Sequence, residues 1–238
     1  MSTHRYLIWD FDGTLGYRTG MWSGALLDVL KANALGDHIT TENLRPFVLA
    51  GFRWHNAHVK NLPNLPAEQW WQELEPIFQR AFQDGAGLSE AEARRLAPEV
   101  RGAYIRLSQW NLFPDVQPIL TELTGKGWRH ILLSNHVPEL GNILRSLAIH
   151  HHFAQVYNSA ETGLEKPHPE AFAIVRASLP DSSHIWMIGD NPIADVEGAE
   201  AAGIPAILVR RTHPSAKRYA ENLADVIRIL ESQVFLPP

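Results

Sequence analysis

The sequence predicts a doubly wound α/β fold, in which a parallel sheet forms the core and an all-helical domain is inserted. Three observations indicate this class. Short apolar runs have strand character, helix-length segments separate the last four of them, and the stretch 16–112 breaks this alternation. The apolar runs are 6–9, 131–133, 155–158, 185–188 and 206–209.

The apolar runs are mostly too short for helices and are typical of strands. Apart from Gln155 and Asn158, their residues are apolar without alternation, which indicates strands that are buried on both faces of a sheet. Because strands and helices alternate along the chain, we expect parallel pairing through right-handed crossovers. The sheet is therefore predicted to be parallel, with helices on both faces.

Start and stop signals bound the helices between these strands. Asp115 precedes the first predicted helix and Gly125 follows it, as is typical of helix ends. Pro169 stands at the first position of the next helix, where its fixed φ suits the helix start. Gly203 ends the third helix. The predicted helices cover 116–123, 169–177 and a segment from near 192 to 203.

Residues 16–112 are predicted to form the inserted domain, and residues 1–15 and 113–238 the core. Apolar residues recur at helical spacing in two series within the insert. Ser89 with Glu92 is typical of a capping box, and Pro98 should break or kink the following helix, so we expect four or more helical pieces. The two series are Trp22, Leu26, Val29 and Leu30, and Trp71, Leu74, Phe78 and Phe82.

Composition excludes several classes of protein. The 238 residues are 45% hydrophobic and 20% charged, and no apolar run approaches the roughly 18 residues of a membrane helix. The chain has no cysteine, so any catalysis must use oxygen or nitrogen groups. A formal charge of -5 argues against a surface that follows nucleic-acid phosphates. No signal-peptide core follows Met1, so we expect a cytoplasmic location.

Four strand ends each carry polar or charged residues. In an open parallel sheet, ligands bind at the carboxyl ends of the strands, so we expect these side chains to converge on one edge. They are Asp10, Asp12 and Thr14 after the first run, Ser134 and Asn135 after the second, Lys166 after the third, and Asp190 and Asp195 after the fourth.

These residues fall into four motifs that occur in order and on the expected elements. The motifs are Asp10-Phe11-Asp12-Gly13-Thr14-Leu15, Leu133-Ser134-Asn135, Lys166-Pro167, and Gly189-Asp190 with Asp195. With them the chain resembles the haloacid dehalogenase superfamily of phosphohydrolases, with a helical cap of the C1 type inserted after the first motif. The resemblance covers nearly the whole chain. It implies a Rossmann-like core and the hydrolysis of a small phosphorylated metabolite.

The resemblance also implies a role for each polar residue. Asp10 would be the nucleophile, forming an acyl phosphate that water later cleaves. Asp12 would protonate the leaving oxygen and then deprotonate the attacking water. Lys166 would offset the charge of Asp10 and of the phosphoryl group. The residues expected to bind the substrate in the core are Thr14, Ser134 and Asn135.

A cation is expected at the same place, because carboxylates and an anionic substrate repel each other. Mg²⁺ suits hard oxygen ligands in octahedral geometry. The resemblance implies that Asp10 and Asp190 are carboxylate ligands and that the main-chain carbonyl of Asp12 completes the protein set. Asp195 would orient these ligands or Lys166.

Other functions of the same superfamily fit the residues less well. A haloacid dehalogenase usually lacks the second carboxylate, and a phosphonate-cleaving relative would lack it too, whereas Asp12 is present. Related sugar-phosphate mutases carry a cap histidine shortly after the first motif, where this chain has Met21-Trp22-Ser23. A non-catalytic phosphate-binding module would have no need of the intact catalytic set. A phosphatase is favoured, with these functions as alternatives.

One segment of the insert is a candidate for substrate recognition. In relatives with a helical insert, a loop between cap helices reaches the active site and often contains Gly followed within a few residues by Arg. The segment Gly51-Phe52-Arg53-Trp54 resembles that loop. The planar guanidinium of Arg53 suits a second phosphate, a carboxylate or a polyol, and a solvated Arg on a helix is the alternative. The sequence names neither the substrate nor the oligomeric state.

Overall fold

A computed structural model of the protein describes residues 4–181 and 183–234. The chain forms two compact units. The first contains Met1–Tyr17, Ala57–Pro63 and Leu112–Pro238, and the second contains Arg18–Asn56 and Asn64–Asn111. Both units are made of more than one segment of the chain, so each depends on contacts between residues that are distant in sequence.

A parallel sheet forms the core of the first unit. The strands in the described residues are β1 (Arg5–Trp9), β2 (Gly16–Arg18), β3 (Trp110–Leu112), β4 (Trp128–Ser134), β5 (Phe153–Asn158), β6 (His184–Gly189), β7 (Ala206–Val209) and β8 (Tyr219–Ala220). Six of them form one sheet in the order β5-β4-β1-β6-β7-β8, and every pairing in it is parallel. Since β1 lies between β4 and β6, the loops that follow these three strands are neighbours.

Burial explains why the strands are continuous apolar runs. Leu7, Ile8 and Trp9 of β1 are completely buried, and the apolar residues of β4, β6 and β7 are buried as well. Helices cover the sheet, so neither face of a central strand contacts water. The prediction of a doubly wound α/β fold is confirmed.

The α-helices also follow the predicted pattern. They are α1 (Met21–Ala32), α2 (Thr41–Leu44), α3 (Ala67–Gln72), α4 (Glu75–Arg80), α5 (Glu90–Leu96), α6 (Glu99–Tyr104), α7 (Val116–Gly125), α8 (Leu140–Ser146), α9 (Ser159–Thr162), α10 (Pro169–Ala177), α11 (Gly198–Ala201) and α12 (Leu223–Val234). A π-helical turn, Pro192–Glu197, leads into α11, and a second one, Ala81–Gly85, follows α4. Short 3₁₀ turns are Arg45–Val48, Arg53–Asn56, Leu107–Gln109 and His150–His152.

An aromatic cluster forms the core of the second unit. The rings of Trp22 and Tyr104 stack with centroids 3.8 Å apart, and the centroid of Phe52 lies 4.6 Å from that of Trp22. Ser89 and Glu92 form the predicted capping box at the start of α5, and Pro98 separates α5 from α6. The helical character of the insert thus follows from local signals and from a large aromatic core.

The structure differs from the sequence-based expectation in two places. The stretch 16–112 contains strand residues at both ends, because β2 pairs with β3 in a separate two-stranded sheet. Segment Ala57–Pro63 lies in the first unit and not in the insert. The Asn61 N–H donates a hydrogen bond to the Gly163 carbonyl at 2.9 Å, and Lys60 pairs with Glu170. Within the described residues, no helix is both long and apolar enough to span a membrane.

Candidate active site

Asp10 lies at the centre of the candidate site, directly after β1. Its Oδ1 accepts a hydrogen bond from Ser134 Oγ at 3.1 Å and another from Lys166 Nζ at 2.7 Å. The side chain of Asp10 is 10% exposed. Because β1 and β4 are adjacent and parallel, their ends place Asp10 and Ser134 side by side. The predicted convergence of these residues is therefore present in the structure.

Lys166 is a buried cation held between two carboxylates. Its Nζ lies 2.7 Å from Asp10 Oδ1 and 2.6 Å from Asp195 Oδ1, and its side chain is 2% exposed. Burial alone would lower the pKa of Lys166, but the charges of Asp10 and Asp195 and their hydrogen bonds raise it overall. The ammonium group is thus permanently charged near neutral pH, beside the proposed nucleophile.

The turn after β6 orients Asp195. The Asn191 side chain caps this turn by accepting hydrogen bonds from the N–H groups of Ile193 and Ala194, each at 3.0 Å. The Asn191 N–H in return donates to Asp195 Oδ2 at 2.9 Å. Both oxygens of Asp195 are therefore engaged, one with the turn and one with Lys166. Asp195 therefore contacts Lys166, and its role in orienting Lys166 or the metal ligands stays a prediction.

Asp190 completes a compact group of carboxylates. Its side chain is 11% exposed, and Arg211 Nη2 donates a hydrogen bond to its Oδ2. Burial raises the pKa of the Asp190 carboxyl group to about 7, and repulsion by Asp10 and Asp195 adds to this rise, while Arg211 and Lys166 oppose it. Burial and the neighbouring carboxylates thus both disfavour the charged form of Asp190.

The cluster of three carboxylates is a suitable binding site for a hard cation. Asp10, Asp190 and Asp195 each offer an oxygen atom within 4.8 Å of the others, and all three residues are buried. Only oxygen donors are present, which is the ligand set that Mg²⁺ prefers. Asp190 comes close to the loop after β1 only because Gly13 has no side chain, since a Cβ there would lie 2.5 Å from Asp190 Oδ2. The fold therefore builds the space in which these carboxylates meet.

Asp12 lies close in sequence to Asp10, but its side chain contacts a different partner. Its side chain is 25% exposed, and its Oδ2 lies 3.6 Å from His136 Nε2. Its Oδ1 is buried and makes no hydrogen bond within the described part of the chain. The carboxyl group of Asp12 is thus partly accessible and outside the set formed by Asp10, Asp190 and Asp195.

Two of the predicted substrate-binding residues hold the loops of the site. The Asn135 side chain donates to the Lys166 carbonyl at 2.8 Å and accepts from the Lys166 N–H at 2.7 Å, so its amide fixes the backbone of Lys166. Thr14 is fully buried, and its carbonyl accepts a hydrogen bond from Arg210 Nε at 2.9 Å. Substrate contacts by either residue remain predictions.

Arg53 lies in the second unit and is not solvated. Its side chain is 7% exposed, and Nε and Nη2 donate to Glu73 Oε2 at 3.0 and 2.6 Å. Its guanidinium carbon is 5.6 Å from the centroid of the Trp70 ring. The alternative of a solvated arginine is therefore wrong, because the guanidinium is packed within its own unit.

Three residues at the site were not predicted from the sequence. His136 directly follows Ser134 and Asn135, so its position after a strand was a usable signal. Arg210 and Arg211 follow β7, and Arg210 also pairs with Asp115 at 2.7 Å. Nothing in the residue pattern distinguishes these two arginines from surface arginines, because their partners are distant in the chain.

The chain is similar in sequence to known hydrolases and phosphatases. The sequence profile of haloacid dehalogenase-like hydrolases matches residues 4–203. A phosphoserine phosphatase from Thermus thermophilus is 34% identical over 156 residues, which cover 63% of this chain and only 60% of that protein. A ribulose-1,5-bisphosphate 5-phosphatase from Halopiger xanaduensis is 29% identical over 223 residues, which cover 92% of this chain and 89% of that protein.

Solved structures show the same fold. The magnesium-bound HAD-hydrolase YfnB from Bacillus subtilis aligns with a TM-score of 0.72 and 17% identity, over 97% of this chain and 100% of that chain. A 2-haloacid dehalogenase from Pseudomonas syringae aligns with a TM-score of 0.63 and 24% identity, over 97% of this chain and 100% of that chain. At these identities the likeness concerns the fold. The profile match extends over most of the chain, and the chain belongs to the haloacid dehalogenase-like hydrolase family.

Proposed function

We propose that this hydrolase is a Mg²⁺-dependent phosphatase that cleaves a small phosphorylated metabolite through a phospho-aspartate on Asp10. The observation that carries the proposal is the buried arrangement in which Lys166 and Ser134 both contact Asp10 Oδ1, with Asp190 and Asp195 beside it. Catalysis of phosphoryl transfer depends mainly on positioning the reactants and on neutralising their negative charge. This arrangement supplies both.

Asp10 forms the covalent intermediate in this proposal. A carboxylate oxygen attacks the phosphorus atom, the bond to the leaving oxygen breaks, and an acyl phosphate results. Lys166 is permanently charged, so it offsets the negative charge of Asp10 and of the transferred group. Ser134 fixes the rotation of the Asp10 carboxylate through Oδ1. Water then attacks the acyl phosphate and releases inorganic phosphate and free Asp10.

Asp12 handles protons in both steps. It gives a proton to the leaving oxygen as the first bond breaks, and then takes a proton from the attacking water. Its partial exposure and its position outside the metal-binding carboxylates suit a group that must change its charge. The same residue distinguishes a phosphatase from a dehalogenase, because halide departure needs no proton.

Asp10 and Asp190, with the main-chain carbonyl of Asp12, would hold the metal ion. When bound, Mg²⁺ supplies charge neutralisation for the phosphoryl oxygens. Asp195 contributes by holding Lys166 and the turn after β6. Relatives named as phosphatases of phosphoserine, glyceraldehyde 3-phosphate and ribulose 1,5-bisphosphate support a small phosphorylated substrate. A cap role for the second unit, with Arg53 as a substrate contact, stays a prediction.

Hydrolysis of p-nitrophenyl phosphate tests the proposal. We expect turnover with Mg²⁺, loss of turnover with EDTA, and recovery when Mg²⁺ is added back. The Asp10→Asn variant should fold normally and show no turnover, since an amide cannot form the acyl phosphate. Full activity of thoroughly chelated protein would contradict the metal requirement, and turnover by Asp10→Asn well above background would contradict the nucleophile.

A further inference from the structure

His136 is a buried histidine that contacts the proposed proton-transfer residue. Its side chain is completely buried, and its Nε2 lies 3.6 Å from Asp12 Oδ2. The two residues follow β4 and β1, which are neighbouring strands of the parallel sheet. None of the roles assigned above uses His136, although it is the group placed against Oδ2 of Asp12.

Several contacts fix the position of His136. Its backbone N–H donates a hydrogen bond to Ser159 Oγ at 3.2 Å, and its ring meets the Phe11 ring edge-on with centroids 5.6 Å apart. Its Nδ1 lies 3.4 Å from the Val137 carbonyl, which is near the upper limit of a hydrogen bond. The imidazole is therefore a rigid group aimed at one oxygen of Asp12.

Apart from the contact with His136, little restrains the side chain of Asp12. Its Oδ1 has no hydrogen-bond partner within the described residues, and a quarter of its side chain is exposed. A carboxyl group that must deliver a proton in line with a departing oxygen needs a fixed orientation, because misplacement lowers the rate of transfer. His136 is the residue in position to supply that orientation.

We propose that His136 is a positioning residue that holds Asp12 through Nε2–H···Oδ2, so that the carboxyl group keeps the orientation in which it exchanges a proton with the leaving group and with water. The inference rests on the proposed function, since it concerns the same two steps. The distance of 3.6 Å is longer than a hydrogen bond, and catalytic hydrogen bonds of this kind shorten when substrate is bound.

This role predicts an effect that depends on the leaving group. A good leaving group departs without a proton, whereas a poor one requires proton transfer in the transition state. Loss of the contact should therefore lower kcat/KM strongly for phenyl phosphate and weakly for p-nitrophenyl phosphate. A purely structural role would lower both by the same factor.

The test compares two variants of the full-length protein. His136→Phe keeps a planar ring of similar size and removes the donor, and His136→Gln replaces the ring with an amide that donates from nearly the same place as Nε2. We measure kcat/KM with Mg²⁺ for both aryl phosphates. The ratio of the two values is independent of the fraction of folded protein, so it remains informative for a variant that folds poorly.

For His136→Phe, we expect kcat/KM to fall about 10-fold to 100-fold with phenyl phosphate and no more than about 3-fold with p-nitrophenyl phosphate. His136→Gln should recover most of the lost rate with phenyl phosphate. Equal losses with both substrates, no loss with either, or no difference between the two variants would overturn the inference. A wild-type protein that hydrolyses neither compound would instead overturn the proposed function.

Discussion

Two glycines set the geometry of the site because they have no side chain. Gly13 has a φ of 76°, and a Cβ there would meet Asp190 Oδ2. A Cβ at Gly189 would lie 2.1 Å from Asp195 Oδ2 and 2.5 Å from Asp195 Cβ, so rotation of the carboxylate could not relieve the contact. At both positions the carboxylates reach the sheet edge because the backbone carries no side chain.

Gly189→Ala should therefore displace Asp195 and disturb Lys166. We expect kcat to fall at least about 100-fold, because Lys166 loses the partner that holds it on Asp10. Gly125→Ala, at the end of α7, is the matched control, because its Cβ would meet nothing within 4 Å. Steady-state kinetics of both variants check this expectation, and unchanged kcat in Gly189→Ala would contradict the close approach.

Trapping the covalent intermediate should distinguish the roles of Asp10 and Asp12, the two carboxylates of the first motif. Asp12→Ala is expected to form phospho-Asp10 from p-nitrophenyl phosphate, whose leaving group needs no proton, and to hydrolyse it slowly. The phosphorylated protein should accumulate and be visible by intact mass spectrometry. Equal absence of the adduct in Asp12→Ala and in Asp10→Asn would contradict the separate roles.

At the scale of elements, His130 links β4 to β1 and α7. Its Nδ1 accepts a hydrogen bond from Trp9 Nε1 at 2.9 Å, and its Nε2 lies 3.1 Å from Thr124 Oγ1 and from the Leu120 carbonyl. Burial lowers the pKa of His130 to about 4, and the contact with the Leu120 carbonyl opposes this only in part. The imidazole is therefore neutral in the folded protein, and protonation would end its acceptance of the Trp9 hydrogen bond.

Folding stability should accordingly depend on pH through His130. The unfolded chain binds the proton below pH ~6.5 and the folded protein only below about 4, so stability is complete above pH ~6.5 and is lost as the pH falls toward 4. The full contribution is roughly 3 kcal/mol. Urea denaturation between pH 4 and 7 measures it. His130→Phe should reduce this pH dependence, and an unchanged slope would contradict the assignment.

The elements themselves could be predicted where local signals are strong. The strands β1, β4, β5, β6 and β7 and the helices α7 and α10 follow from apolar runs and helix caps. In contrast, β2, β3 and β8 have two or three residues each, too few for a recognisable alternation. Their pairing depends on partners that are distant in sequence, which a local pattern cannot indicate.

Contacts between residues distant in sequence also limit what could be predicted about the site. Asp10, Ser134, Lys166, Asp190 and Asp195 meet because parallel strands end at one edge, and this was predictable. The contact of His136 with Asp12 and that of Arg211 with Asp190 depend on side-chain directions in loops. No residue pattern encodes those directions.

At the scale of the whole molecule, the chain has two units, and the first contains Asp10, Ser134, Lys166 and Asp190. The second has its own aromatic core. The sequence predicted a division into a core and an insert, but residues 57–63 belong with the first unit. Their hydrogen bond to Gly163 is a contact between loops far apart in the chain, so helical periodicity could not reveal it.

Mg²⁺ should stabilise the folded protein without any substrate. Binding to the folded state alone at 100 times the dissociation constant adds about 2.7 kcal/mol, and we expect a rise of roughly 5 to 10 °C in Tm. Asp190→Asn should lose most of this rise because it removes a ligand. Asp181→Asn, an exposed position with the same change of charge, should keep it. Differential scanning fluorimetry checks the set, and an equal shift in all three proteins would contradict the metal site.

The covalent step is the central claim, and locating the phosphoryl group tests it most directly. The Asp12→Ala protein is incubated with p-nitrophenyl phosphate and Mg²⁺, quenched, and reduced with borohydride, which converts an aspartyl phosphate to homoserine. Peptide mass spectrometry should then find homoserine at position 10 and at no other aspartate, with none in an Asp10→Asn, Asp12→Ala double variant. Homoserine at another position, or turnover by the wild-type protein with no trapped adduct on Asp10, would contradict the account.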